Sequence, residues 1–192
     1  MYREDKEVPD ISKELSKSKV TRIIEEIDCF KPRRTITVQY SGPNIREIVR
    51  QSPRMIQLGM KTTGTKTYID EYYIDVTDPN NISFHIFWHS IRGFDQRSSM
   101  WGFIRLKHGV LHTDGTGSVN IEFYAKLVTN WERGSIIQRT PIYTLLRKIY
   151  TYIFYDNRRR KYLDLCREFE EEMIRRMKEF LKLIETAEYT YA

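Results

Sequence analysis

The spacing of apolar positions changes several times along the chain, and each change marks an element. Over 10–28, Ile11, Leu15, Ile23, Ile24 and Ile27 fall on one stripe of a helix with a charged opposite side, and Asp10 stands where a cap belongs. The stretch 20–27 also reads as a strand, so both readings stay open there. Pro32 and the basic pair Arg33 and Arg34 close this element. Residues 35–40 alternate, with Ile36, Val38 and Tyr40 on one side and Thr35, Thr37 and Gln39 on the other, which predicts a half-buried strand. Ser41-Gly42-Pro43 stops it. Asn44 then caps a short helix in which Ile45, Ile48 and Val49 share a face. Ser52-Pro53 starts a second short helix, with serine as cap and proline in its first turn, and Gly59 serves its C-terminal end.

A run of strands follows. Residues 65–76 are rich in Tyr, Ile and Thr, and Asp78-Pro79-Asn80-Asn81 is a turn in which proline presets φ and asparagine tolerates left-handed φ. Strands are predicted over 82–91, 99–107 and the short 110–113, with a loop over 93–98 and a tight turn at His108-Gly109. Asp114-Gly115-Thr116-Gly117 is a hairpin signal. Residues 118–131 alternate, with Val119, Ile121, Phe123, Ala125, Leu127 and Trp131 facing one way. From Thr140-Pro141 the period becomes helical: Ile142, Leu145, Leu146, Ile149 and Ile153 form a stripe. Asp156-Asn157 reads as a kink, after which Tyr162, Cys166, Phe169, Met173, Met177, Phe180 and Ile184 continue the stripe. Glu171–Arg175 and Glu172–Arg176 are spaced as ion pairs on the polar side.

These elements predict an α+β fold: a curved antiparallel sheet wrapped on a long C-terminal helix, two short helices after the first strand, and an extra N-terminal helix. The divisions are an N-terminal tail and helix over 1–33, the main domain over 34–186, and a frayed end over 187–192. The order of elements resembles the helix-grip, or SRPBCC, superfamily of START-like, birch-pollen-allergen-like and polyketide-cyclase-like proteins. The resemblance is carried by 35–40 with Gly42-Pro43 leading into 44–49, by 99–106, by 114–122 and by the terminal helix. It implies a hydrophobic pocket for a lipid, isoprenoid or polyketide. The helix over 10–28 departs from that pattern and reads as an added lid or a partner site.

Composition narrows the class. The chain has 192 residues, 40% hydrophobic and 30% charged, enough for one domain with a core. Apolar runs such as 82–88 end well short of the ~18 residues a membrane span needs. The opening MYREDKEVPD has no apolar leader core, so a cytoplasmic location is expected. Twenty-two Ile against 3 Ala, with 5 Gln and 6 Asn, fits either a thermophile or nucleotide bias. Two cysteines are too few for a disulfide scaffold, an iron–sulfur cluster or a zinc ribbon. Without a CxxC or a nearby histidine, Cys29 and Cys166 are expected to be buried or inert thiols.

The net charge is +6, and residues 139–161 hold an equal excess: Arg139, Arg147, Lys148, Arg158, Arg159, Arg160 and Lys161 against Asp156 alone. Tyr143, Tyr150, Tyr152, Phe154 and Tyr155 are interleaved with them. Basic residues mixed with aromatic ones suit nucleic acid or an anionic membrane, while a core helix with a solvated basic rim explains the same pattern.

Candidate chemistry is sparse. His85 and His89, like His108 and His112, are four apart; on a strand that separates them by ~13 Å, so neither pair chelates alone. Asp70, Glu71, Asp75 and Glu122 are strand carboxylates expected in solvent-facing pairs. No metal site and no cofactor is predicted. Strand 99–106 is apolar on both sides, with Trp101 and Phe103 opposite Met100, Ile104 and Leu106, and needs two covers or a binding partner.

The first functional expectation is non-catalytic binding of a hydrophobic small molecule or lipid between sheet and C-terminal helix, lined by Trp88, Trp101, Phe123, Ile149 and Ile153. The second is nucleic-acid or anionic-membrane binding through 139–161, with Arg158, Arg159, Arg160 and Lys161 as contacts. The third is a cyclase- or hydrolase-like enzyme on the same scaffold.

Overall fold

The computed structural model describes residues 21–30, 35–62, 66–133, 138, 140–182 and 187–191. In chain order the elements are β1 (Thr21–Asp28), β2 (Ile36–Gly42), α1 (Ile45–Met60), β3 (Thr67–Asp75), β4 (Asn81–Gly93), β5 (Ser98–His112) and β6 (Gly117–Arg133). Then come α2 (Pro141–Tyr150), a π-helical turn (Thr151–Tyr155), α3 (Asp156–Lys182) and β7 (Ala187–Tyr191). The strands form one curved sheet in the order β3-β4-β5-β6-β2-β7, with β1 also on β6. Every pairing is antiparallel.

Of the two readings open for 20–27 the strand is found, over 21–28, so the predicted helix does not run on to 28; its other part, 10–20, lies outside the described residues, as do Arg33, Arg34 and Ile184. The reason is β6, which is long enough to serve two partners along one edge. Thr21–Asp28 pairs with Arg133–Lys126, and Ile36–Gly42 with Phe123–Gly117. Between them the Cys29 amide still donates to Ala125 O, at 3.0 Å. The expected frayed end is also a strand, with Ala187–Tyr191 pairing against β2. The predicted strands 99–107 and 110–113 are one strand, bent by a bulge where His108 takes φ 50°.

The two short helices are one. α1 runs through Pro53, whose missing N–H leaves a gap in the helical ladder. One residue earlier, Ser52 Oγ donates to Ile48 O at 2.7 Å, and one side of the helix buries Ile45, Ile48, Met55, Ile56 and Met60. That burial, at ~1.5–3 kcal/mol per large side chain, outweighs one lost backbone bond. Asn44 precedes α1 with φ 63° and makes no side-chain cap bond.

The core lies on one side of the sheet. Val38, Tyr40, Met100, Ile104, Leu106, Ile121, Phe123 and Leu127 are almost fully buried there. They are covered by α1 together with the inward side of α3, where Cys166, Phe169, Met173, Met177 and Leu181 are buried. Gly59 and Gly102 allow the layers to close. A Cβ on Gly59 would lie 2.7 Å from Met173 Sδ, and one on Gly102 would strike Met60 and Phe169. Cys29 and Cys166, expected as thiols, form a disulfide with Cα atoms 5.2 Å apart, tying the β1–β2 junction to α3. An antiparallel sheet with a long C-terminal helix on one side is compatible with a helix-grip fold.

Candidate functional site

The helical stripe that marks 142–153 in the sequence does not face the sheet. Ile142, Leu145, Leu146, Ile149 and Ile153 are 45–71% exposed, and Tyr152 and Phe154 beside them are exposed too. The helix is held from its other side. Thr140 Oγ1 accepts the Tyr143 amide at 3.2 Å, Pro141 occupies the first turn, and Arg147 Nη1 donates to Glu25 Oε1 on β1 at 3.2 Å. The Tyr150 ring meets Trp131 of β6 edge-on, at 6.2 Å between centroids.

The π-helical turn does the rest of the anchoring. Its extra residue per turn rotates Tyr155 inward, where the side chain is buried. The Tyr155 hydroxyl donates to Asp95 Oδ2 at 3.0 Å and shares a short hydrogen bond with Ser98 Oγ, which in turn bonds Thr129 Oγ1 at 3.0 Å. Tyr162 of α3 donates to the same Asp95 oxygen at 2.9 Å. The other Asp95 oxygen accepts the amides of Arg97 and Ser98, both at 2.7 Å. Burial works to raise the Asp95 pKa, but these four donors outweigh it and hold the carboxyl below its ordinary range. Burial pushes the Tyr155 phenol up to about 12. A fully engaged carboxylate beside a neutral phenol is poorly suited to proton transfer near neutrality. The cluster clamps the helix to the β4–β5 loop.

From Asp156 the chain continues as α3 without the predicted break. Asp156 holds Arg159 Nη2 at 2.6 Å and Arg160 Nε at 2.8 Å, and these two guanidiniums, Arg160 first, lower its pKa. Lys148, Arg158 and Lys161 are exposed and make no ion pair among the described residues. Arg139 lies outside the described residues. An exposed apolar stripe and three unpaired cations thus occupy one continuous stretch of helix.

The five residues proposed to line a hollow are not brought together. Trp88 and Phe123 are in the core, Ile149 and Ile153 are on the outward side of the helix, and Trp101 is on the opposite face of the sheet. That face carries its own ring cluster. His89 stacks on Tyr68 at 5.0 Å and on Trp101 at 5.8 Å, and Phe103 stacks on Tyr124 at 4.5 Å. The second apolar side of β5 is therefore covered by neighbouring rings. His89 Nδ1 is 2.7 Å from Asp70, His85 Nε2 is 3.0 Å from Glu71, and Lys107 holds Glu122 at 2.8 Å, so three of the four strand carboxylates are paired across strands. Asp75 instead caps Thr77. Among the described residues no three His, Cys, Asp or Glu side chains are grouped to hold a metal ion.

Sequence reasoning missed Asp95, Arg97 and the inward turn of Tyr155. The signal available was the run Asp95-Gln96-Arg97-Ser98 in a loop between two apolar strands. Compared with known protein families and with curated proteins, the chain matches none. Among the described residues no helix is long and apolar enough to cross a membrane.

Proposed function

We propose that the protein is a non-catalytic peripheral binder of anionic membrane surfaces, docking through the outward side of α2 and the π-helical turn. The carrying observation is the stripe Ile142, Leu145, Leu146, Ile149 and Ile153, turned away from the core. A helix that hides its polar side against its own protein and presents aliphatic and aromatic side chains outward matches an in-plane interfacial helix. Lys148, Arg158 and Lys161 supply charge complementarity, at ~1 kcal/mol each near an anionic leaflet. Nucleic acid fits less well: Tyr152 and Phe154 offer rings to bases, but the five aliphatic side chains between and before them gain burial from acyl chains and not from a nucleic acid. The scaffold beneath is read as SRPBCC-like, supported by the order strand, helix, antiparallel strands, long helix.

The test is flotation with phosphatidylcholine vesicles, with and without phosphatidylserine, over a salt series. Binding is expected only to the anionic vesicles and weakens as salt rises. Leu145→Glu with Ile149→Glu removes it without lowering the melting temperature, since both side chains are exposed. Lys148, Arg158 and Lys161 changed together to Glu remove the preference for anionic lipid. Failure to bind either vesicle, or retention of an oligonucleotide in place of vesicles, overturns the reading.

A further inference from the structure

Between α2 and the β4–β5 loop, three adjoining clefts of about 320, 210 and 340 Å³ meet at Arg97, the last of them bordered also by Leu146 at the margin of the exposed stripe. Their walls come from the β4–β5 loop, the end of β6 and the inner side of α2. The Arg97 guanidinium lies 4.7 Å from the centroid of the Trp131 ring and 5.8 Å from that of Tyr150. Arg147 approaches the same indole at 5.8 Å. Two cations therefore share one ring, and among the described residues only Arg147 has a carboxylate partner, Glu25. Asp95 borders one cleft beside Arg158, but its oxygens are occupied by two amides and two phenols.

Hydrogen-bond accounting points the same way. Trp131 is only 4% exposed, and its indole Nε1 is buried with no acceptor among the described residues. Arg147 Nε is buried and unpartnered as well. Buried donors are rarely left unpaired, and here two of them stand beside a guanidinium without a carboxylate. Gln96 and Asn130 add side-chain amides to the lining. This supplies more donors than the two oxygens of a carboxylate would use, whereas a tetrahedral oxyanion offers three or four acceptors.

We propose that the cleft around Arg97 binds an oxyanion of the phosphate class, held by Arg97 and Arg147 at the Nε1 edge of the Trp131 indole. The residues that hold it, Arg97, Arg147 and Trp131, are not those of the outward stripe, so the assignment does not rest on membrane docking by the outer side. Free phosphate and the phosphate of a lipid headgroup present the same chemistry to these residues.

The experiment is a titration of the full chain with inorganic phosphate, following the tryptophan indole N–H resonances in ¹H–¹⁵N spectra, with the Trp131 resonance assigned through Trp131→Phe. The Trp131 indole N–H is expected to shift saturably while those of Trp88 and Trp101 stay in place. Arg97→Gln, whose side chain is on an exposed loop, is expected to keep the melting temperature and bind phosphate ~10-fold or more weakly. Arg97→Lys, which keeps the charge but loses the planar fork, falls between them. A parallel titration uses vesicles carrying phosphatidic acid and the Leu145→Glu, Ile149→Glu variant. Phosphate binding by that variant supports the cleft even when vesicle docking is lost, and competition between vesicles and phosphate on the native chain identifies a headgroup source. The absence of a saturable Trp131 shift, or equal affinity in Arg97→Gln, overturns the proposal.

Discussion

Tyr155 has a phenol that is buried, bonded to Ser98 and Asp95, and raised in pKa to about 12. In the unfolded chain the phenol titrates near its ordinary value of about 10. The folded state thus keeps a proton that the unfolded state releases, so the contribution is complete below about pH 10 and declines as pH rises toward 12. Tyr155→Phe is expected to flatten the alkaline limb of the stability profile and to cost ~1–2 kcal/mol at neutral pH, measured by denaturant unfolding. An unchanged alkaline limb in the variant would show that the phenol is not the responsible group. The disulfide makes a second prediction. Cys29 and Cys166 are 137 residues apart, and a cross-link over so long a loop contributes ~2–5 kcal/mol in the loop-closure account. Thermal unfolding with and without reductant should differ accordingly, and Cys166→Ser should abolish that difference.

The elements show which parts of the sequence were readable and which were not. The strict alternation of 36–40 and 118–131 appears as β2 and β6, because alternation on a half-buried strand has few competing explanations. The stripe over 142–153 was equally clear as a helix, but periodicity reports that a face exists without reporting what covers it. Here the side chains of Arg147 and Tyr155 have the tighter partners, so the apolar side turns outward. Ile23 and Ile27 allowed either helix or strand, and the length of β6, which no local pattern of 20–28 encodes, decided for strand. Ser52-Pro53 looked like a boundary because proline is at home in a first turn; a continuous buried side from Ile45 to Met60 overrode it. Arg97 and Asp95 were invisible as a site, since their partners come from α2, α3 and β6, more than thirty residues away. At this scale the prediction concerns α3. Phe169 and Met173 pack where α1, the sheet and α3 meet, so Met173→Ala should cost ~2–5 kcal/mol in unfolding, whereas Leu146→Ala on the exposed side of α2 should cost under ~0.5 kcal/mol.

The molecule as a whole has a packed side and a bare one. One face of the sheet is sealed by α1 and α3, with methionines filling the space next to Gly59 and Gly102. The opposite face is finished by stacked rings and cross-strand ion pairs. Among the described residues the apolar stripe on α2 has neither cover, and the cations without an ion pair there follow it along the same helical stretch. Its docking on anionic membranes is tested most directly by Ile149→Trp in a chain whose three native tryptophans are Phe, with quenching measured in two settings. In buffer, the single tryptophan should be open to iodide. With phosphatidylserine vesicles it should become shielded from iodide and be quenched by brominated acyl chains. A tryptophan at 149 that is already shielded in buffer, or that stays open to iodide and untouched by bromolipid when vesicles are added, would contradict the account.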